Sequence, residues 1–161
     1  MLMLTIVRIN DLSYSHINSN SMKKRLLAIF SLVTVCTHAQ SKDETAIRQS
    51  LDQQIAAWNL GDIEGFMKTY WESDSLVFIG TAGITYGWKN TLNHYQKSYP
   101  DTSAMGKLKF AILSVKKLSA EYFHVIGKWH LQRTAGNLEG YFTLIFRKIK
   151  GRWLIIADHS S

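Results

Sequence analysis

A chain of 161 residues, 46% hydrophobic and 12% aromatic, is long enough to bury one core and too apolar to stay disordered. Its single cysteine, Cys36, excludes a disulfide framework and a thiolate metal site, and no dinucleotide, phosphate-loop or nucleophile-elbow motif is present. The formal charge of +7 has no nucleic-acid motif beside it, so nucleic acid is not an expected partner.

Met22-Lys23-Lys24-Arg25, the apolar run 26–35 and the small-residue site Thr37-His38-Ala39 read together as a signal peptide over 22–39. Such a segment begins at its own methionine, which makes 1–21 an upstream extension. The apolar run is too short for a membrane span of roughly 20 residues. The expected mature domain, 40–161, is exported to the periplasm or the extracellular space. It has no thiol, and its 15 basic against 11 acidic side chains leave a modest +4. Lipid anchoring through Cys36 is the rival reading, but Val35 stands where that chemistry wants a small residue.

Ser41 and Glu44 form a capping box, and the helix they open carries Ile47, Leu51, Ile55 and Trp58 as an apolar stripe that ends at Gly61. Asp62 caps a second helix with Ile63, Phe66, Met67 and Tyr70 on one side. Residues 76–79 and 84–86 read as short strands about a turn. A third helix from about Trp88 places Trp88, Leu92 and Tyr95 together and stops before Pro100. From Lys107 the period switches to two, in Leu108, Phe110 and Ile112 and again in Phe123, Val125, Gly127, Trp129, Leu131 and Arg133. Beyond the turn Ala135-Gly136-Asn137 comes a hairpin across Lys150-Gly151, with Phe142, Leu144 and Phe146 on one face and Tyr141, Thr143, Ile145 and Arg147 on the other. Helices followed by a long meander are the α+β pattern.

That order, with Trp58-Asn59-Leu60-Gly61-Asp62 after the first helix, Gly87-Trp88 opening the third, and the closing hairpin as far as His159, resembles the nuclear transport factor 2-like superfamily. Within it the likeness is to SnoaL-like proteins and a kinase-association-domain-like domain of unknown function. The resemblance implies a cone-shaped α+β fold over 40–161: N-terminal helices packed on a strongly curved antiparallel sheet that encloses a pocket. It also implies a homodimer through the outer sheet face. The superfamily's ketosteroid isomerases use an aspartate base, a tyrosine and a protonated aspartic acid. Here the corresponding positions, near Gln54, Ile79 and Thr143 or Leu144, carry none of these groups, so that chemistry is not expected.

Asp158 ends an apolar strand and by alternation shares a face with Leu154 and Ile156; burial there would suit it to acid–base work. The competing reading is a rim carboxylate paired with a basic side chain. His159 points the other way under strict alternation, unless a bulge intervenes. The expected pocket wall is Gln54, Trp58, Tyr70, Phe78, Tyr95, Trp129, Arg133, Leu144 and Ile156, with Arg133 suited to an anionic group. Ordinary core packing would use the same aromatic residues. No metal and no cofactor are expected, since His124 and His130 lie too far apart along one strand to share an ion. The function expected from the sequence is an exported small-molecule-binding protein for a small, largely apolar ligand, with lyase, isomerase or hydrolase activity at Asp158. The alternative is a non-catalytic binding or homo-oligomeric assembly module.

Overall fold

The computed structural model describes residues 41–161, so the expected upstream extension, signal peptide and Cys36 lie outside the described residues. Helix α1 (Lys42–Asn59) starts where Ser41 Oγ accepts the Glu44 N–H at 3.1 Å. It buries Ile47, Leu51, Gln54 and Trp58, while Ile55 sits half-covered at the edge of the stripe. A polar residue therefore occupies the centre of the buried face. The helix ends with Gly61 in the left-handed region, its N–H on Trp58 O and the Asp62 N–H on Ala57 O. The Asp62 carboxylate then caps α2 (Ile63–Met67) by accepting the Gly65 N–H at 2.7 Å.

Beyond α2 the chain meets the sheet. Strands β1 (Val77–Gly80) and β2 (Gly83–Tyr86) form a small hairpin, followed by α3 (Trp88–Ser98) and a short α4 (Thr102–Met105). Strands β3 (Lys107–Lys117), β4 (Tyr122–Gln132), β5 (Leu138–Ile149) and β6 (Arg152–Ser160) make the meander. The six strands lie in the order β2-β1-β6-β5-β4-β3, and the sheet is open. All neighbours are antiparallel except β1 and β6, which run parallel. That parallel junction has a local cause. Just before β1, Trp71 N–H bonds Ile155 O and Ile155 N–H bonds Thr69 O, so the chain is already running alongside β6 when β1 begins.

Two bulges set the faces. In β3 the extra residue is Leu113, between the pairs Ile112↔Gly127 and Ser114↔Ile126. In β6 it is Ile156, between Phe146↔Ile155 and Ile145↔Ala157. The inner face, against α1 to α3, collects Phe123, Val125, Phe142, Leu144, Phe146 and Ile155, all buried. At Gly127 a Cβ would overlap the Phe142 ring, so only glycine lets that ring lie flat against β4. No helix among the described residues is long and apolar enough to cross a membrane.

Candidate functional site

Between the inner sheet face and the helices lies a cavity of about 530 Å³. Its walls are largely aromatic: Trp58 from α1, Phe66 and Tyr70 around α2, Phe78 from β1, Tyr95 from α3 and Trp129 from β4. Trp58, Phe66 and Tyr95 meet edge-on, with Trp58 and Phe66 centroids 5.2 Å apart and Phe66 and Tyr95 also 5.2 Å apart, so this part of the wall is closely packed.

Asp158 lies in this wall at 4% exposure. The bulge at Ile156 puts it there. With an extra residue in β6, Asp158 turns to the side of the buried Trp153 and Ile155, away from the Leu154 and Ile156 face that strict alternation predicts. The Tyr70 hydroxyl donates to Asp158 Oδ2 at 2.6 Å and the Ser160 hydroxyl to Oδ1 at 2.8 Å. Tyr70 reaches this carboxylate because its backbone is bridged to Ile155. The Tyr95 phenol, from α3, lies close enough to this pair to feel the Asp158 charge.

Burial lifts the Asp158 carboxyl from 3.8 to about 6, even though the bonds from Tyr70 and Ser160 and the nearby His159 pull it down. Burial, and then the Asp158 charge, push both Tyr70 and Tyr95 well above the usual phenol range, so they remain neutral donors. The site thus offers one carboxyl able to give or take a proton near neutral pH and a phenol fixed against it.

Of the wall expected from sequence, Gln54, Trp58, Tyr70, Phe78, Tyr95, Trp129 and Leu144 line this cavity together with Asp158. Two residues do not. Ile156 is the bulged residue and is displaced from the run of inward-facing positions. Arg133 lies beyond the end of β4, where its Nε donates to Gly136 O at 3.0 Å and its backbone N–H to Asn137 Oδ1 at 3.1 Å. It lines a second pocket, with Lys107 and Gln132, and is not in the wall of the main cavity. Sequence reasoning missed Ser160, although its position two residues after Asp158 on one strand was a usable signal, and His94, whose ring lies 5.3 Å from that of Phe78.

Among solved structures, the chain is 42% identical to a nuclear transport factor 2-like protein of unknown function from Shewanella oneidensis MR-1, over 73% of this chain and 97% of that one, with a TM-score of 0.70. The chain belongs to the nuclear transport factor 2-like superfamily. The same fold recurs at lower identity. A domain of unknown function with a cystatin-like fold from Nostoc punctiforme PCC 73102 is 21% identical over 75% of this chain and 77% of that one, at a TM-score of 0.64. A ketosteroid isomerase-like protein from Erwinia carotovora atroseptica SCRI1043 is 18% identical over 75% and 96%, at a TM-score of 0.59. No protein-family model and no curated protein matches the chain. In this nuclear transport factor 2-like domain, then, the fold is shared widely, and the chemistry of the cavity has to be argued from its side chains.

Proposed function

We propose that this nuclear transport factor 2-like domain binds a small, largely apolar molecule in its cavity and that Asp158 exchanges a proton with it, in a lyase, isomerase or hydrolase reaction. The observation that carries the reading is a carboxyl at 4% exposure in an aromatic cavity, lifted to about 6 and held by a neutral phenol. At pH 7 such a group is about ten parts ionised to one part protonated, so it can start as a base and finish as an acid. Export by the segment 22–39 remains part of the proposal, on the sequence pattern described above. Native mass spectrometry of the protein purified from its own host tests the binding: a co-purifying small molecule is expected, and turnover of that molecule should fall at least a hundredfold in Asp158→Asn, given that general acid–base groups contribute roughly 10²- to 10⁴-fold. Unchanged turnover in that variant removes the catalytic role.

A second reading has its own support on the other side of the sheet. Ile84, Tyr86 and Tyr141 are 58%, 60% and 56% exposed on the outer face. Apolar groups gathered on one face suit a homodimer or an assembly module, in which the cavity would play no chemical part. Sedimentation at micromolar concentration separates the two oligomeric states, and a monomer would remove the dimer.

A further inference from the structure

The second pocket, of about 330 Å³, lies where the end of α1, the short α4, the start of β3 and the residues after β4 come together. Two cations line it, Lys107 and Arg133, and no aspartate or glutamate does. Neither cation belongs to an ion pair: those among the described residues join Arg48 to Glu44, Lys128 to Glu139 and Lys148 to Asp43. Both are held by neutral carbonyls instead. Lys107 Nζ donates to Asn59 O at 2.7 Å, and the Asn59 amide is itself fixed by two bonds to the Leu108 backbone. Arg133 donates from Nε to Gly136 O at 3.0 Å and from Nη1 to Ala104 O at 3.4 Å, which leaves Nη2 without a partner among the described residues.

The stem of Arg133 is fixed as well. It lies across Gly106, where a Cβ would overlap its Cγ, and Gly106 has a φ of 64° that suits glycine. Lys107 follows directly and pairs with Gln132 across β3 and β4, so the backbone itself brings the two cations to one pocket. Like charges brought together repel, and a carbonyl neutralises neither. With no carboxylate in the wall, the charge is left for something from solution to balance. Lys107 and the hydroxyl residues Thr102, Ser103 and Thr134 of the same wall are exposed, so an ion can reach them and find further donors there.

We propose that this pocket binds a small oxyanion, a phosphate or carboxylate group, with the Arg133 guanidinium as its direct partner and Lys107 supplying a second charge. A planar guanidinium suits paired oxygens, and a dianionic phosphate gains more from two cations than a carboxylate does, so phosphate binds more tightly. The inference does not rest on the small-molecule reading of the main cavity, because Lys107 and Arg133 lie outside that wall and Asp158 has no part in it.

The test is an NMR titration of the isotope-labelled protein at pH 7.5 with methyl phosphate and with acetate, against sodium chloride at equal ionic strength to separate binding from screening. Methyl phosphate should give saturable shifts of the Gly106, Lys107 and Arg133 amides and of the Arg133 Nε–H, at lower concentration than acetate, while chloride should not. Lys107→Gln and Arg133→Gln should each weaken methyl phosphate binding about threefold or more, the worth of one exposed charge contact. Lys109→Gln, on the same strand but outside the pocket, and Asp158→Asn should leave it unchanged. The spectra show directly whether each variant is folded, and the exposed Lys107 keeps the test decisive even where loss of Arg133 disturbs the turn. Shifts that never saturate, or an equal loss in Lys109→Gln, would mean that only the overall positive charge attracts the ion and would overturn the proposal. Tighter binding in Asp158→Asn would place the anion in the main cavity and overturn it equally.

Discussion

Replacing Asp158 by asparagine should stabilise the domain above pH 6 and leave it unchanged below about pH 4. The native carboxyl keeps its proton up to about 6, whereas the unfolded one lets it go at 3.8. Below 3.8 both states are protonated, and burying the group carries no charge penalty. As pH rises toward 6 the folded state must either hold a proton that the unfolded chain has shed or bury a charge, so stability is lost across that window. A difference of about two pH units, at about 1.4 kcal/mol each, amounts to ~3 kcal/mol. Asparagine is nearly the same size and still offers an acceptor to the Tyr70 or Ser160 hydroxyl, so most of the packing is kept. Urea denaturation of both proteins at a series of pH values reads the difference directly, and other titrating groups cancel in the subtraction. A stability difference that stays flat from pH 4 to 7, or one in which the native protein gains on the variant as pH rises, would refute the reasoning.

Tyr70→Phe removes the donor to Asp158 Oδ2. A hydrogen bond to a charged group is worth about 1.5–3 kcal/mol, so the Asp158 midpoint should move up by roughly one to two pH units, as followed by carbon NMR of labelled aspartate; a midpoint that stays or falls contradicts the assigned bond. Gly127→Ala should cost about 1–3 kcal/mol, because the new methyl displaces the Phe142 ring; thermal melting at fixed pH measures it, and a neutral outcome would mean the ring has room to move. Leu51→Ala, at a position 1% exposed, should cost about 2–5 kcal/mol in the same assay.

Much of this architecture is written in local patterns. The Ser41 and Asp62 caps, the Gly61 stop and the alternation of Phe142, Leu144 and Phe146 each depend on a few neighbouring residues, and each appears where the sequence places it. What escaped the sequence depends on partners distant along the chain. The phase of β6 changes at Ile156, a residue as apolar as its neighbours, because the strand pairs with β5 on one side and β1 on the other and no single residue announces the extra step. The parallel β1–β6 junction was equally hidden, since it follows from the bridge at Tyr70 and Ile155. Arg133 continued the even spacing of β4 in sequence, but the strand stops at Gln132 and the side chain is recruited by the next turn. Gln54 was named for the cavity wall from the sequence; burial adds that it sits at 1% exposure in the face of α1 toward the sheet, with Ile55 half-covered beside it.

The hydrogen bond between Tyr70 and Asp158 joins residues 88 positions apart. Closing so long a loop costs entropy before any contact repays it, and the strand that brings Asp158 is also the one that joins the β1–β2 hairpin to the rest of the sheet. Until β1 and the segment at Tyr70 pair with β6, no strand pairing joins the β1–β2 hairpin to the meander and the carboxyl has no phenol to meet. The Tyr70–Asp158 bond therefore depends on the pairing that completes the sheet, and fraying of β6 would break it. Amide exchange along β6 would consequently report the lifetime of the site as well as that of the fold.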